Sequence, residues 1–153
     1  LSRISIKSIG FVRTGLTEDD LRKRQYDSKL IIYRDYEGAL EGIEDFSHLN
    51  VIFWMHYIPA SERRELKARP RGCRDMPLVG VLATRAPHRP NPIGLSLVEL
   101  VERRGNILKV RGLDALDGSP VLDLKPYDKW DSAEHVRVPE WWTKLERERK
   151  CRR

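Results

Sequence analysis

LSLVELVERRGNILKVRGL, residues 95–113, decides the fold. Apolar residues crowd its first half, Arg104-Gly105-Asn106 interrupts it, and its second half alternates, with Leu108 and Val110 on one face and Lys109 and Arg111 on the other. Strand-like runs on either side of a glycine turn read as a β-hairpin. The same reading, carried outward, gives strands at Ile4–Val12, Lys29–Tyr33, Val51–Tyr57, Leu78–Thr84, Leu95–Glu102, Ile107–Leu113 and Val121–Leu124. Val51–Met55 is almost wholly apolar, as in a central strand covered on both faces. Asp117-Gly118 with Pro120 marks another turn. Helical signals are sparse: Glu18–Gln25 with Thr17 as its cap, a short turn over Glu44–Leu49, and Pro139–Arg149, which opens on proline and ends on basic residues. Many strands and few helices predict a mainly β chain, a single small β-barrel with short peripheral helices. Residues 1–153 are expected to form one domain, with 129–153 as a helical C-terminal extension.

Composition narrows the class. With 40% hydrophobic and 34% charged residues the chain reads as a soluble globular protein, and no apolar run approaches the length of a membrane span. The opening LSRISIKSIGFV alternates polar and apolar residues, as a strand does and a signal peptide does not. Cys73 and Cys151 belong to no CxxC pair, and no histidine spacing suggests zinc. Free thiols, no metal and a cytoplasmic location are the expectation. The net charge is +6. Residues 63–74, RRELKARPRGCR, hold six Arg/Lys against one Glu, and residues 144–153 hold six against two. Such runs are either solvated faces or contacts for a nucleic-acid backbone.

Gly80–Ser96, GVLATRAPHRPNPIGLS, is the segment richest in chemical suggestion. Pro87, Pro90 and Pro92 restrict their own φ and the residues before them, so the loop has few conformations to lose on ordering. Arg85 follows directly on a strand end and either clamps an anion bidentately or bonds a loop carbonyl. Arg89 has the same two readings, and Asn91 suits a turn. Downstream, in GLDALDGSPVLDLKPY (112–127), Asp114 and Asp117 bracket a turn where carboxylates can order a nucleophile, while Ser119 suits a cap. His56 ends the apolar strand, a place for a pocket edge, and His48 reads as a structural histidine. Trp141 and Trp142 either stack a base or dock the last helix. Phosphate-binding glycine loops, GxGxxG after a strand, HExxH and the nucleophile elbow are all missing from the sequence.

In the order GIEDFSHLNVIFWMH (42–56), GVLATRAPHRPNPIGLS (80–96), GLDALDGSPVLDLKPY (112–127), these blocks resemble the TrmO (TsaA-like) family. The likeness is strongest over residues 5–128. It implies a TsaA-like barrel, S-adenosyl-L-methionine as cofactor without a metal, a homodimer, and methylation of N6 of threonylcarbamoyladenosine beside the anticodon of transfer RNA. Carried over position by position, it implies cofactor contacts from Arg24 and Gln25, His56 and Tyr57, Arg85, Leu95, and Asp114, Ala115, Leu116 and Asp117. Lys23 stands where the family has proline, Asn50 where an aromatic is common, and Ser119 where threonine is usual. Asp114 and Asp117 are the candidates for accepting the N6 proton. Arg63, Arg64, Lys67, Arg69, Arg71 and Arg89 are the candidates for holding the anticodon stem-loop. Two rival readings are an RNA-binding barrel without catalysis and an enzyme that uses the same cofactor on a different acceptor.

Overall fold

A computed structural model describes residues 3–148. In chain order its strands are β1 (Gly10–Arg13), β2 (Asp27–Ile32), β3 (His48–Trp54), β4 (Lys67–Ala68), β5 (Val79–Gly80), β6 (Ile93–Arg104), β7 (Ile107–Arg111) and β8 (Pro120–Pro126), and its helices are α1 (Glu18–Lys23) and α2 (Glu140–Glu148). The chain divides into two compact units. One holds residues 1–56 and 93–129, the other residues 57–92 and 130–153.

The first unit is a closed antiparallel barrel in the order β1-β2-β7-β6-β3-β8. Alternation explains why it closes around a dry centre. Leu30 and Ile32, Leu49, Val51 and Phe53, Val98, Leu108 and Val110, and Val121 all point inward and are at most 4% exposed. Two glycines are required by crowding. A Cβ at Gly10 would lie 2.3 Å from the Ile31 carbonyl oxygen, and one at Gly94 would lie 2.3 Å from the Phe53 ring. The register shifts once between β3 and β8, at Ile52/Phe53, and once between β6 and β7, at Leu100/Glu102. Such bulges bend strands and help a short sheet meet itself. The β6–β7 hairpin turns at Gly105, whose φ of +58° suits glycine. Thr17 caps α1: its hydroxyl accepts from the Asp20 N–H at 3.3 Å and donates to the Asp20 carboxylate at 2.8 Å.

In the second unit, β4 and β5 form a two-stranded ribbon with Lys67 opposite Gly80 and Ala68 opposite Val79. Cys73, Met76 and Leu145 are buried together, and Trp141 of α2 packs on them.

Several expectations are corrected. The first strand begins at Gly10 and not at Ile4: Ile4 and Ile6 are 84% and 57% exposed, so their alternation marks no buried face. Leu78–Thr84 keeps only two strand residues. Val81–Ala83 turns into a 3-10 helix, because the Thr84 N–H and hydroxyl both donate to the Val81 carbonyl. The strand expected at Val51–Tyr57 runs from His48 to Trp54, and β6 and β8 extend beyond the expected ends. Cys73 is disulfide-bonded and not a free thiol. Cys151 and Arg149 lie outside the described residues.

Candidate functional site

One end of the barrel gathers Arg24, His56, Asp114, Asp117 and Ser119 from among the polar residues singled out in the sequence. The turn between β7 and β8 organises it. The Gly118 N–H donates to the Val12 carbonyl at 2.8 Å, and the Ser119 N–H donates to Leu116 at 3.1 Å. Gly118 has a φ of +75°, so a side chain there would strain the turn. Leu113 and Ala115 anchor the turn in the core. Asp114 and Asp117 thereby emerge on the same tight loop.

Each carboxylate is tied to a different part of the chain. Asp117 accepts from the Thr14 N–H at 2.7 Å and from the Arg13 guanidinium at 3.3 Å, at the end of β1. Asp114 accepts from Arg24 at 3.3 Å, just past α1. The segment between Thr14 and Arg24 therefore has one foot on each aspartate. Arg24 has a φ of +51°, uncommon for a residue with a side chain. Gln25 beside it is exposed.

Beneath these charges lie four buried hydroxyls, at Thr14, Ser28, Ser96 and Ser119. Ser96 accepts from the Asp114 N–H at 3.4 Å. Ser119 Oγ stands 3.3 Å from His56 Nδ1, which orients the imidazole at the end of the apolar strand. The hydroxyl oxygens of Thr14 and Ser28 are buried without a hydrogen-bond partner among the described residues, which leaves acceptor and donor capacity in this layer. Leu95, next to Ser96 on β6, points outward and is 49% exposed. The arrangement offers carboxylates, hydroxyls, an imidazole and an apolar strand face within one unit. That set suits a polar nucleoside bearing a cationic group.

The first unit thus brings together Arg24, Asp114, Ala115, Leu116, Asp117 and His56, with Leu95 on the adjoining strand. Tyr57 and Arg85 belong to the second unit, where both are exposed. The expected RNA contacts Arg63, Arg64, Lys67, Arg69, Arg71 and Arg89 also belong there. Four of these spend guanidinium donors on carbonyls of their own unit. Arg63 donates to Ile58 at 3.1 and 2.9 Å, Arg69 to Met76, Arg71 to Leu145 at 3.4 Å, and Arg89 to Thr84 at 3.4 Å. His88 pairs with Glu62 at 2.6 Å.

Sequence reasoning missed Arg13, Thr14, Ser28 and Ser96. A signal was present for the two serines: strict alternation places Ser28 in line with Leu30 and Ile32, and Ser96 in line with Val98, so both are polar residues at inward positions.

Comparison with known proteins gives the chain its family. Residues 13–132 match the model of the tRNA-methyltransferase O N-terminal domain. A relative named "Probable S-adenosyl-L-methionine-binding protein" from Methanothermobacter thermautotrophicus is 49% identical over 129 residues, 81% of this chain and 90% of the relative. The tRNA (adenine(37)-N6)-methyltransferase of Mus musculus is 38% identical over 110 residues, covering 70% of this chain and 25% of the mouse protein. A crystal structure of TrmO from Pseudomonas aeruginosa superposes with a TM-score of 0.70 at 34% identity, covering 89% of this chain and 62% of that one. The chain therefore spans about three fifths of the crystallised protein and a quarter of the mouse one. A family match over residues 13–132 and a superposition covering 89% of its length make this chain a member of the TrmO family.

Proposed function

We propose that the chain is an S-adenosylmethionine-dependent transfer-RNA methyltransferase acting on N6 of threonylcarbamoyladenosine beside the anticodon. The observation that carries the reading is the joint placement of His56, Asp114 and Asp117 at one barrel end, in a chain whose residues 13–132 match the family's N-terminal domain. The names of the mouse and archaeal relatives supply the reaction and cofactor class.

The residues present fit the cofactor. Carboxylates at Asp114 and Asp117 suit ribose hydroxyls and a nearby sulfonium charge, and the exposed side of Leu95 suits an adenine face. The hydroxyls of Thr14 and Ser28, unpartnered among the described residues, leave hydrogen-bonding capacity in the same layer. Arg24 and Gln25 of the same unit complete the proposed set. When bound, S-adenosylmethionine supplies an electrophilic methyl group on sulfur. The protein's own work is positioning and charge. Methyl transfer is an in-line displacement that needs neither metal nor covalent enzyme intermediate, so orientation can supply much of the rate. The acceptor N6 is a weakly nucleophilic ureido nitrogen, and a carboxylate of Asp114 or Asp117 accepts its proton as charge develops, with His56 as the next candidate.

The chain works as a homodimer in the cytoplasm on this reading, so light scattering gives twice the 17.9 kDa chain mass. The reaction itself is tested by incubating the protein with methyl-labelled cofactor and transfer RNA from cells lacking the gene, then identifying the labelled nucleoside by mass. Label in N6-methyl-threonylcarbamoyladenosine is expected. Label in another nucleoside would replace the acceptor, and cofactor binding without transfer to any RNA would favour the non-catalytic barrel.

A further inference from the structure

The charge of this protein is not shared between its units. Among the described residues the barrel unit contains 14 Lys/Arg and 15 Asp/Glu, whereas the second unit contains 11 and 8, a balance of +3. Residues 57–92 alone hold eight cations against three acids. A guanidinium that donates to a neutral carbonyl keeps its charge, so all eight contribute to the field that attracts a polyanion. Direct contact is different, because it needs donors that are free to leave the protein.

By that criterion the basic run separates into two groups. Arg63, Arg69, Arg71 and Arg89 are held by carbonyls, and the Arg71 bond joins the loop to Leu145 of α2, 74 positions away. Removing one of them leaves a carbonyl unsatisfied and loosens the unit. Arg64, Lys67 and Arg74 are exposed and have no side-chain partner among the described residues. Lys67 sits on β4 opposite Gly80, which brings no side chain of its own to that position of the ribbon. Arg64 ends the 3-10 turn before β4, and Arg74 lies in the link between β4 and β5. Leu66 and Leu78, 73% and 54% exposed, flank the ribbon strands and offer apolar area for ribose and base faces.

We propose that Arg64, Lys67 and Arg74 are the residues of the ribbon that contact RNA phosphates, and that Arg63, Arg69, Arg71 and Arg89 build the surface that presents them. The proposal rests on transfer RNA being the substrate. An acidic protein would offer carboxylates at irregular spacing. A nucleic-acid backbone offers regularly repeated charge with sugar and base faces beside it, which matches separated cations interleaved with leucines.

The test compares an R64Q/K67Q/R74Q variant with R63Q and R69Q single variants, using transfer RNA and its anticodon stem-loop over a range of salt. Each lost phosphate contact lowers the slope of log K against log salt by about 0.7 for single strands and about 0.9 for duplex. The triple variant should therefore lose about 2–3 from the slope, keep its Tm and keep its affinity for S-adenosylmethionine. The single variants should lower Tm, with slopes within about half a unit of wild type, less than one phosphate contact, at temperatures where they are folded. An unchanged slope in a folded triple variant would overturn the assignment while leaving transfer RNA as substrate. R63Q and R69Q slopes cut as deeply, at unchanged Tm, would overturn it equally. Failure of the wild-type protein to bind transfer RNA at all would overturn both the substrate reading and this proposal. In a parallel arm, loss of binding to phosphatidylserine vesicles in the triple variant, with RNA binding intact, would reassign the patch to membranes.

Discussion

The two units lean on arginine differently: ion pairs with acids prevail in the barrel, although Arg103 also donates to the Leu40 and Gly105 carbonyls, and bonds to carbonyls prevail in the second unit. In the barrel, Arg13 meets Asp117, Arg24 meets Asp114, Arg103 meets Glu44, and Arg111 meets both Asp27 and Glu99. In the second unit, Arg63, Arg69, Arg71 and Arg89 meet backbone carbonyls. A carboxylate partner cancels the charge it holds in place. A carbonyl partner fixes the side chain and leaves the charge standing. The second unit can thus be built with arginines and still present a positive field, while the barrel spends its cations on acids and ends near neutrality. Exposed pairs of the first kind contribute little stability singly, so what holds the barrel is its packed interior.

The contrast in packing is the easiest part to break. Gly10→Ala should cost the barrel more than about 3 kcal/mol, because the clash is with a backbone carbonyl that cannot rotate away. Gly80→Ala in the ribbon should stay within about 0.5 kcal/mol, as surface substitutions do. Urea titrations of the two variants read the difference. Similar losses in both would mean that the ribbon is as tightly built as the barrel.

Next in size is Asp117. Asp117→Ala strands the Thr14 N–H, which is part-buried, and should destabilise the barrel by about 1–3 kcal/mol. Asp117→Asn keeps an acceptor for that N–H and should recover most of the stability. It should not recover cofactor affinity if the charge is what the ligand requires. Calorimetry with S-adenosylmethionine separates the two, and equal stability in the two variants would remove the hydrogen bond from the account.

The smallest effect concerns Asp27. Lys109 and Arg111 bond its carboxylate and hold its pKa below the ordinary 3.8. A carboxylate with a lowered folded pKa stabilises the protein above its unfolded pKa, and that stability drains away as pH falls through the lower folded value. Asp27→Asn should therefore cost about 0.5–1 kcal/mol at neutral pH, discounted for partial exposure. The gap from wild type should close as pH drops below about 4. A gap that does not narrow at all as the pH falls would assign the loss to packing.

How much of the molecule is legible in its sequence depends on how local the cause is. Alternation within Ile107–Arg111 and the apolar run around Val51 need only neighbours, and both became barrel strands. Thr17 before the acidic turn of α1 was equally plain. The run from Ile4 failed because alternation shows a face without showing that anything covers it. Leu78–Thr84 failed because one hydroxyl, on Thr84, turned the chain out of the extended state. The aspartates of the β7–β8 turn could be picked by type, but their feet on Thr14 and Arg24 come from residues about 90 to 100 positions away. The split among the arginines was unreadable for the same reason. Nothing around Arg71 in the sequence announces the Leu145 carbonyl.

Ring closure has a consequence for the protein's company in a crowded solution. Every barrel strand is paired on both sides, so among the described residues that unit offers no bare barrel edge onto which a foreign strand can add. Among the described residues, the unpaired strand edges belong to the ribbon, and its strands are two residues long. They are too short to template much, and Lys67 stands on one of them with Arg64 and Arg74 nearby. Charges placed to meet phosphate also guard an edge against self-association. Stripping them to probe RNA binding removes that guard as well, so the neutralised variant should be handled dilute and its monodispersity measured before any titration is trusted.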